Sequence, residues 1–122
     1  MIINLLSSEN YCIYNKTIGK KLGPIAAIIL SILCGKHDYF RKQNQLATIA
    51  MDFDGVEKEV DCFYSTRPQM KEETGISPDQ QRAAEKKLID VGIIKVKDCG
   101  MPKRNYYYLD EQAIADLLKK EM

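Results

Sequence analysis

Residues 63–109 read FYSTRPQMKEETGISPDQQRAAEKKLIDVGIIKVKDCGMPKRNYYYL, and this stretch decides the fold. Thr66 is an N-cap residue for a short helix from about Arg67 to Thr74, with Met70 facing inward. Gly75 supplies a left-handed turn residue and Ile76 buries the corner. Ser77 then caps a second helix, with Pro78 at its first position and Gln80 at its third, the arrangement of a capping box. Ala84, Leu88 and Val91 mark its buried side and Gly92 ends it. Two helices joined by a short Gly-containing turn form a helix-turn-helix. Ile93 to Lys97 then alternates as a strand, with Ile94 and Val96 on one face and Lys95 and Lys97 on the other. Asp98 to Pro102 turns the chain, and Lys103 to Leu109 returns as a strand with Tyr106 and Tyr108 opposite Tyr107. A hairpin directly after a recognition-type helix is a wing. The expected fold is therefore α+β, a winged helix-turn-helix with a β-hairpin wing and additional N- and C-terminal helices.

Upstream, Asn15 to Leu22 reads as a helix capped by Asn15, with Ile18 and Leu22 one turn apart; Gly23 and Pro24 separate it from the next. That next helix, PIAAIILSILCGKHDYF, repeats apolar residues every 3.6 positions through Ile25, Ile28, Ile29, Ile32, Leu33, Tyr39 and Phe40. It reads as the central core helix, with Gly35 a weak point at which it could end early. Residues 46–64 read as extended chain about an Asp54-Gly55 turn, a solvated acidic hairpin or ordered loop carrying Asp52, Asp54, Glu57, Glu59 and Asp61. Downstream, Glu111 to Glu121 is amphipathic through Ile114, Leu117 and Leu118, which can close the core or pair with a second copy. The N-terminal IINLL is a further strand or packing candidate. At 122 residues the expectation is one domain, with the helix-turn-helix at about 66–91, the wing at about 93–109 and the last helix at about 111–121.

Eighteen Lys and Arg against seventeen Asp and Glu leave a net charge of +1, which excludes a strongly basic wrap-around nucleic-acid binder. The charge is segregated, however. Residues 1–43 carry +4 and residues 77–109 carry +3, while residues 44–76 carry −4 and residues 110–122 carry −2. The apolar stretch Pro24 to Cys34 is well short of the ~20 residues that span a bilayer. The start lacks the basic and apolar regions of a signal peptide. Cys12, Cys34, Cys62 and Cys99 form no CxxC pair, so reduced thiols and a cytoplasmic setting are expected, with no structural metal. The acidic residues miss the calcium-loop spacing. No Gly-rich phosphate loop, GxSxG or HExxH is present, and His37 has no obvious nucleophile partner; neither an enzyme nor a cofactor is expected.

The stretch resembles the winged-helix N-terminal domain of DnaD-like and phage replication-initiation (replisome organiser) proteins. The matching residues are Phe63-Tyr64, Thr66-Arg67, Met70, Glu72-Glu73-Thr74-Gly75, Ser77, Gln80-Gln81-Arg82, Leu88, Gly92-Ile93-Ile94, Pro102, Arg104 and Tyr106. The upstream Lys20-Lys21-Leu22-Gly23 and Ala27-Ile28-Ile29-Leu30-Ser31 are similar to the same group, so the resemblance runs from about Tyr11 to the end. Members usually carry further C-terminal domains, whereas this chain stops at Met122. The resemblance implies a double-stranded DNA-binding protein of a phage, plasmid or other mobile element, acting in replication initiation or its regulation in a bacterial cytoplasm.

In a winged helix bound in the usual way the second helix lies in the major groove. Its exposed residues would be Asp79, Gln80, Arg82, Ala83 and Lys86, with Arg82 suited to guanine and Gln80 to adenine. Ser77 leaves amide hydrogens near a phosphate. Lys95, Lys97, Lys103 and Arg104 would neutralise phosphates from the wing, and Lys16, Lys20 and Lys21 extend the basic face. Each has a plainer counterpart. Arg82 and Lys86 with Glu85 and Asp90 make a salt-bridged solvated face, Lys95 and Lys97 the polar side of a strand, and Tyr106 to Tyr108 are better suited to packing than to stacking bases. Asp79 and Glu85 count against groove binding. The alternative function is a protein–protein interaction module on the same scaffold, with a homodimer and replication proteins as the partners left open.

Overall fold

A computed structural model describes residues 15–100 and 103–119. The IINLL segment, Cys12, the Met101-Pro102 part of the wing turn and the last three residues, 120–122, lie outside the described residues. Among the described residues the architecture is α+β, with five helices and a four-stranded antiparallel sheet. In chain order these are α1 (Lys16–Leu22), α2 (Pro24–Lys42), β1 (Ala47–Phe53), β2 (Val56–Ser65), α3 (Arg67–Thr74), α4 (Pro78–Asp90), β3 (Ile94–Cys99), β4 (Arg104–Leu109) and α5 (Glu111–Lys119).

The local punctuation acts as its residue types dictate. Asn15 Oδ1 accepts the Ile18 amide at the start of α1, and Thr66 Oγ1 accepts the Gln69 amide at the start of α3. Gly75 takes φ 76° and lets the chain turn sharply out of α3. Ser77 and Gln80 form the complete capping box of α4, each side chain accepting the other's amide. Asp54 and Gly55 both adopt positive φ between paired Phe53 and Val56, the two-residue turn whose twist matches that of the strands.

α2 forms the centre of the core, with Ala26, Ala27, Ile29, Leu30 and Leu33 buried against Leu88 of α4 and Phe63, Ile94, Tyr107 and Leu109 of the sheet. Gly35 does not end it; the helix continues to Lys42, because the apolar side beyond it, Phe40 included, still packs on the core. Two other expectations fail on burial. Tyr39 is 59% exposed and Val91 47% exposed, since Val91 caps α4 beyond its buried row. Ile114, Leu117 and Leu118 of α5 pack against the core of their own chain.

The strand order is β1-β2-β4-β3. Register sets two faces. Phe63, Tyr107 and Val96 lie in one cross-strand row and Ile94 opposite Leu109, all toward the helices; Tyr64, Tyr106 and Lys97 lie in a row on the outer face. The long β2 pairs with β1 along its first part and with β4 only at Phe63–Ser65, so the β1–β2 hairpin is free to curl. It curls over the outer face, bringing Phe53 edge-on to Tyr108 at 5.6 Å. Met51 of β1 and Cys62 of β2 are buried as well.

Candidate nucleic-acid interface

α4 buries Gln81, Ala84, Glu85 and Leu88, an i, i+3, i+4, i+7 row, and leaves Asp79, Gln80, Arg82, Ala83 and Lys86 outside. The polar members of the buried row are the unexpected ones. Gln81, 1% exposed, donates from Nε2 to the carbonyls of Arg67 (3.1 Å) and Ile76 (2.9 Å), tying α4 to both ends of the α3 segment. Glu85, 5% exposed, is gripped by both terminal nitrogens of Arg67 at 2.9 and 3.0 Å and accepts the Tyr107 hydroxyl at 2.8 Å. Burial, then the neighbouring Glu85 carboxylate, holds the Tyr107 hydroxyl well above the usual tyrosine range. The angle between α3 and α4 is thus fixed by hydrogen bonds to charged groups in a space closed to water.

The sequence puts Glu85 on the solvated face, where it would repel phosphates; its withdrawal into the core removes that objection. The spacing 81, 84, 85, 88 is the signal that could have found it, overridden by the polarity of the residues. Asp79 remains outside and is ion-paired to Arg82. Gln80 has its amide oxygen committed to the Ser77 amide, which leaves its Nε2 to meet a base. Lys86 points to solvent on the same side as Arg82, one turn on.

The lysines of β3, expected to face phosphates, are placed differently. Lys95 Nζ donates to the Asp52 carbonyl at 2.9 Å and lies 4.6 Å from the Phe53 ring centre. Lys97 Nζ donates to the Ala50 carbonyl at 2.7 Å. The two ammonium groups therefore serve the outward carbonyls of β1 and hold the hairpin over the sheet. Lys103 is exposed, and the Arg104 guanidinium stacks on Tyr64 at 4.4 Å. Arg82 and Lys86 share one side of α4, whereas Gln80 lies on its other flank with Ala83 and Lys87, beside Leu22 to Ala26, so the structure does not bring all four expected α4 residues together. Lys95 and Lys97 of β3 reach the β1–β2 hairpin; Lys103 precedes β4 and Arg104 starts it. In α1, Lys16, Lys20 and Lys21 are exposed.

Tyr106 packs edge-on to Tyr64 and Tyr107 stacks on Phe63, which accords with packing rather than base stacking. His37 is half-buried with its ring edge-on to Phe63 at 6.0 Å. Burial pushes the Cys62 thiol up to about 11, and Cys34, Cys62 and Cys99 are unpaired with one another. Among the described residues no group of three or more His, Cys, Asp or Glu is placed to hold a metal, and no helix is long and apolar enough to cross a membrane.

No protein-family model and no curated protein matches the chain. Two solved structures are similar to it. One is described as the N-terminal domain of a DNA binding protein, with TM-score 0.57 and 19% identity over 99% of this chain and 92% of that one. The other is described as the structure of a Rep-DNA complex, with TM-score 0.58 and 18% identity over 99% of this chain and 93% of that one. At these identities the likeness establishes a shared fold.

Proposed function

We propose that this chain binds double-stranded DNA as a winged helix, with α4 in the major groove and β3–β4 as the wing, in replication initiation or its regulation, without catalysis or a cofactor. The observation that carries the reading is the outer row of α4. It presents Arg82 and Lys86 one turn apart on the exposed side, while Glu85, the acid that would have opposed a phosphate there, is held inside by Arg67 and Tyr107. Arg82 suits a guanine edge once DNA replaces Asp79 as its partner, whereas the Ser77 and Gln80 amides are occupied by the capping box and Gln80 contributes only its Nε2. Phosphate binding by the wing rests first on Lys103 and Arg104. Both similar structures are DNA-binding proteins by description, one of them a Rep protein on DNA, which supports the same assignment and its replication setting.

The test is fluorescence anisotropy against random and genomic duplexes, at low and near-physiological salt. The expected result is binding that prefers some fragments and falls steeply as salt rises. An absence of binding even at low salt overturns the proposal. It would favour the protein-interaction reading, to which the acidic hairpin and the exposed Asp79 lend themselves.

A further inference from the structure

On the outer side of α2, away from the Arg82–Lys86 row, an open cleft of about 420 Å³ lies between α2, α3 and the end of β2. Its walls are aromatic: Tyr39, Phe40 and Tyr64 follow one another with ring centres 5.8 Å apart at each step. Arg104 lies flat beside it on Tyr64 and makes no ion pair among the described residues. The acid at the rim, Glu73, is matched by Lys36 at 3.4 Å, so the lining itself is neutral and the unpaired positive charge is that of Arg104 beside it. Two features are not explained by the chain's own packing. Tyr39 is 59% exposed although it belongs to the core helix. Gly35 sits mid-helix in the cleft wall, where glycine costs helix stability, yet a Cβ there would meet nothing within 4 Å. A glycine that no internal packing requires leaves the α2 backbone open to close approach from outside.

We infer that this cleft binds single-stranded nucleic acid, taking an unstacked base between Tyr39 and the Tyr64–Arg104 pair with the strand running over Gly35. Exposed aromatic rings interleaved with cations are the means by which proteins hold single strands, since every base offers a π-face and every nucleotide a phosphate. A protein partner would be served by the rings but would not call for the uncompensated Arg104. The site shares Arg104 with the proposed wing contact but none of the α4 residues, and it does not depend on that reading.

The experiment measures anisotropy of a fluorescent oligothymidine of about 12 nucleotides, which cannot pair with itself, on the full chain at low salt, beside a duplex control. Binding is expected. Tyr39→Ala should weaken it roughly 5- to 100-fold, the range for loss of one stacking ring. Gly35→Leu, which fills the cleft, should weaken it similarly with no fall in melting temperature, because the new side chain meets no protein atom at its Cβ and improves the helix. Arg82→Ala should leave it unchanged. Failure of the oligothymidine to bind overturns the inference, as does binding indifferent to both cleft variants, or an equal loss of duplex binding in Tyr39→Ala. Single-strand binding abolished in the cleft variants, together with no duplex binding at all, would uphold the cleft and overturn the duplex reading alone.

Discussion

Glu85 has three hydrogen bonds and almost no water, so its carboxylate is tolerable only while Arg67 and Tyr107 stay in place. Removing Arg67 would leave a buried charge without its partner, a change that typically costs about 3–5 kcal/mol. Arg67→Ala should lower the urea midpoint by that order, and Tyr107→Phe, losing one bond to a charged group, by about 1.5–3 kcal/mol. Tyr107 also gives a pH signature. Its folded hydroxyl titrates above the ordinary value of 10.0, so the folded state keeps a proton that the unfolded chain releases. Its stabilisation is complete below pH 10 and is lost as pH rises beyond it. Cys62, raised from 9.0 to about 11, acts in the same sense between those values. Stability should therefore fall as pH rises above 9, and the part of the fall above pH 10 should be smaller in Tyr107→Phe, as urea titrations at pH 8, about 9.5 and about 10.5 would show. The spacing 81, 84, 85, 88 marks Glu85 as inward, but the partners it finds there were not legible in the sequence. Thr66, Gly75 and Ser77 could be read because their partners are three or four residues away, whereas Glu85 finds its partners 18 and 22 residues distant.

At the scale of elements, α4 begins where its capping box closes and ends where its buried row ends. Ser77 accepts the Gln80 amide and Gln80 accepts the Ser77 amide, so two otherwise unpaired donors are met by neighbours. Ser77→Ala should cost about 1 kcal/mol, within a range of roughly 0.5–2, read from the urea midpoint. Ser77→Asp, which keeps an acceptor and places a negative charge at a helix N-terminus, should recover most of it. The same logic shows why helix boundaries and the centres of buried faces could be read closely while the edges of those faces could not. Caps are written in adjacent residues, but which side of a helix is covered depends on what folds onto it. Val91 lies beyond the last turn of α4, and Tyr39 lies outside the strip of α2 that the sheet covers, so both are exposed despite their periodicity. The strand order β1-β2-β4-β3 was hidden for a related reason. The acidic hairpin and the wing read as separate units, and the three-residue pairing of Phe63–Ser65 with Asn105–Tyr107 that joins them leaves no pattern of its own.

Over the whole molecule, a net charge of +1 means that any hold on DNA must come from where the cations sit and which of them are free. Lys95 and Lys97 lie on β3, yet their ammonium groups donate to the backbone of β1. Lys103 and Arg104, a few residues later, face no acid among the described residues. The two pairs should therefore separate in one experiment. Lys103→Ala with Arg104→Ala should weaken all duplexes alike and make the slope of log affinity against log salt shallower by roughly 2, about 0.9 for each phosphate no longer neutralised. Lys95→Met with Lys97→Met keeps the apolar stems and removes the donors. It should leave that slope and the duplex affinity unchanged while amide exchange quickens along Ala47–Phe53, whose hairpin would no longer be held over the sheet. Arg82→Ala should differ from both, losing about 1–3 kcal/mol on preferred fragments with little change on random ones, as expected of a side chain that reads a base rather than a phosphate. A shallower slope in the Lys95 and Lys97 variant would mean that phosphates draw these lysines off β1, and that the hairpin opens when the wing meets DNA.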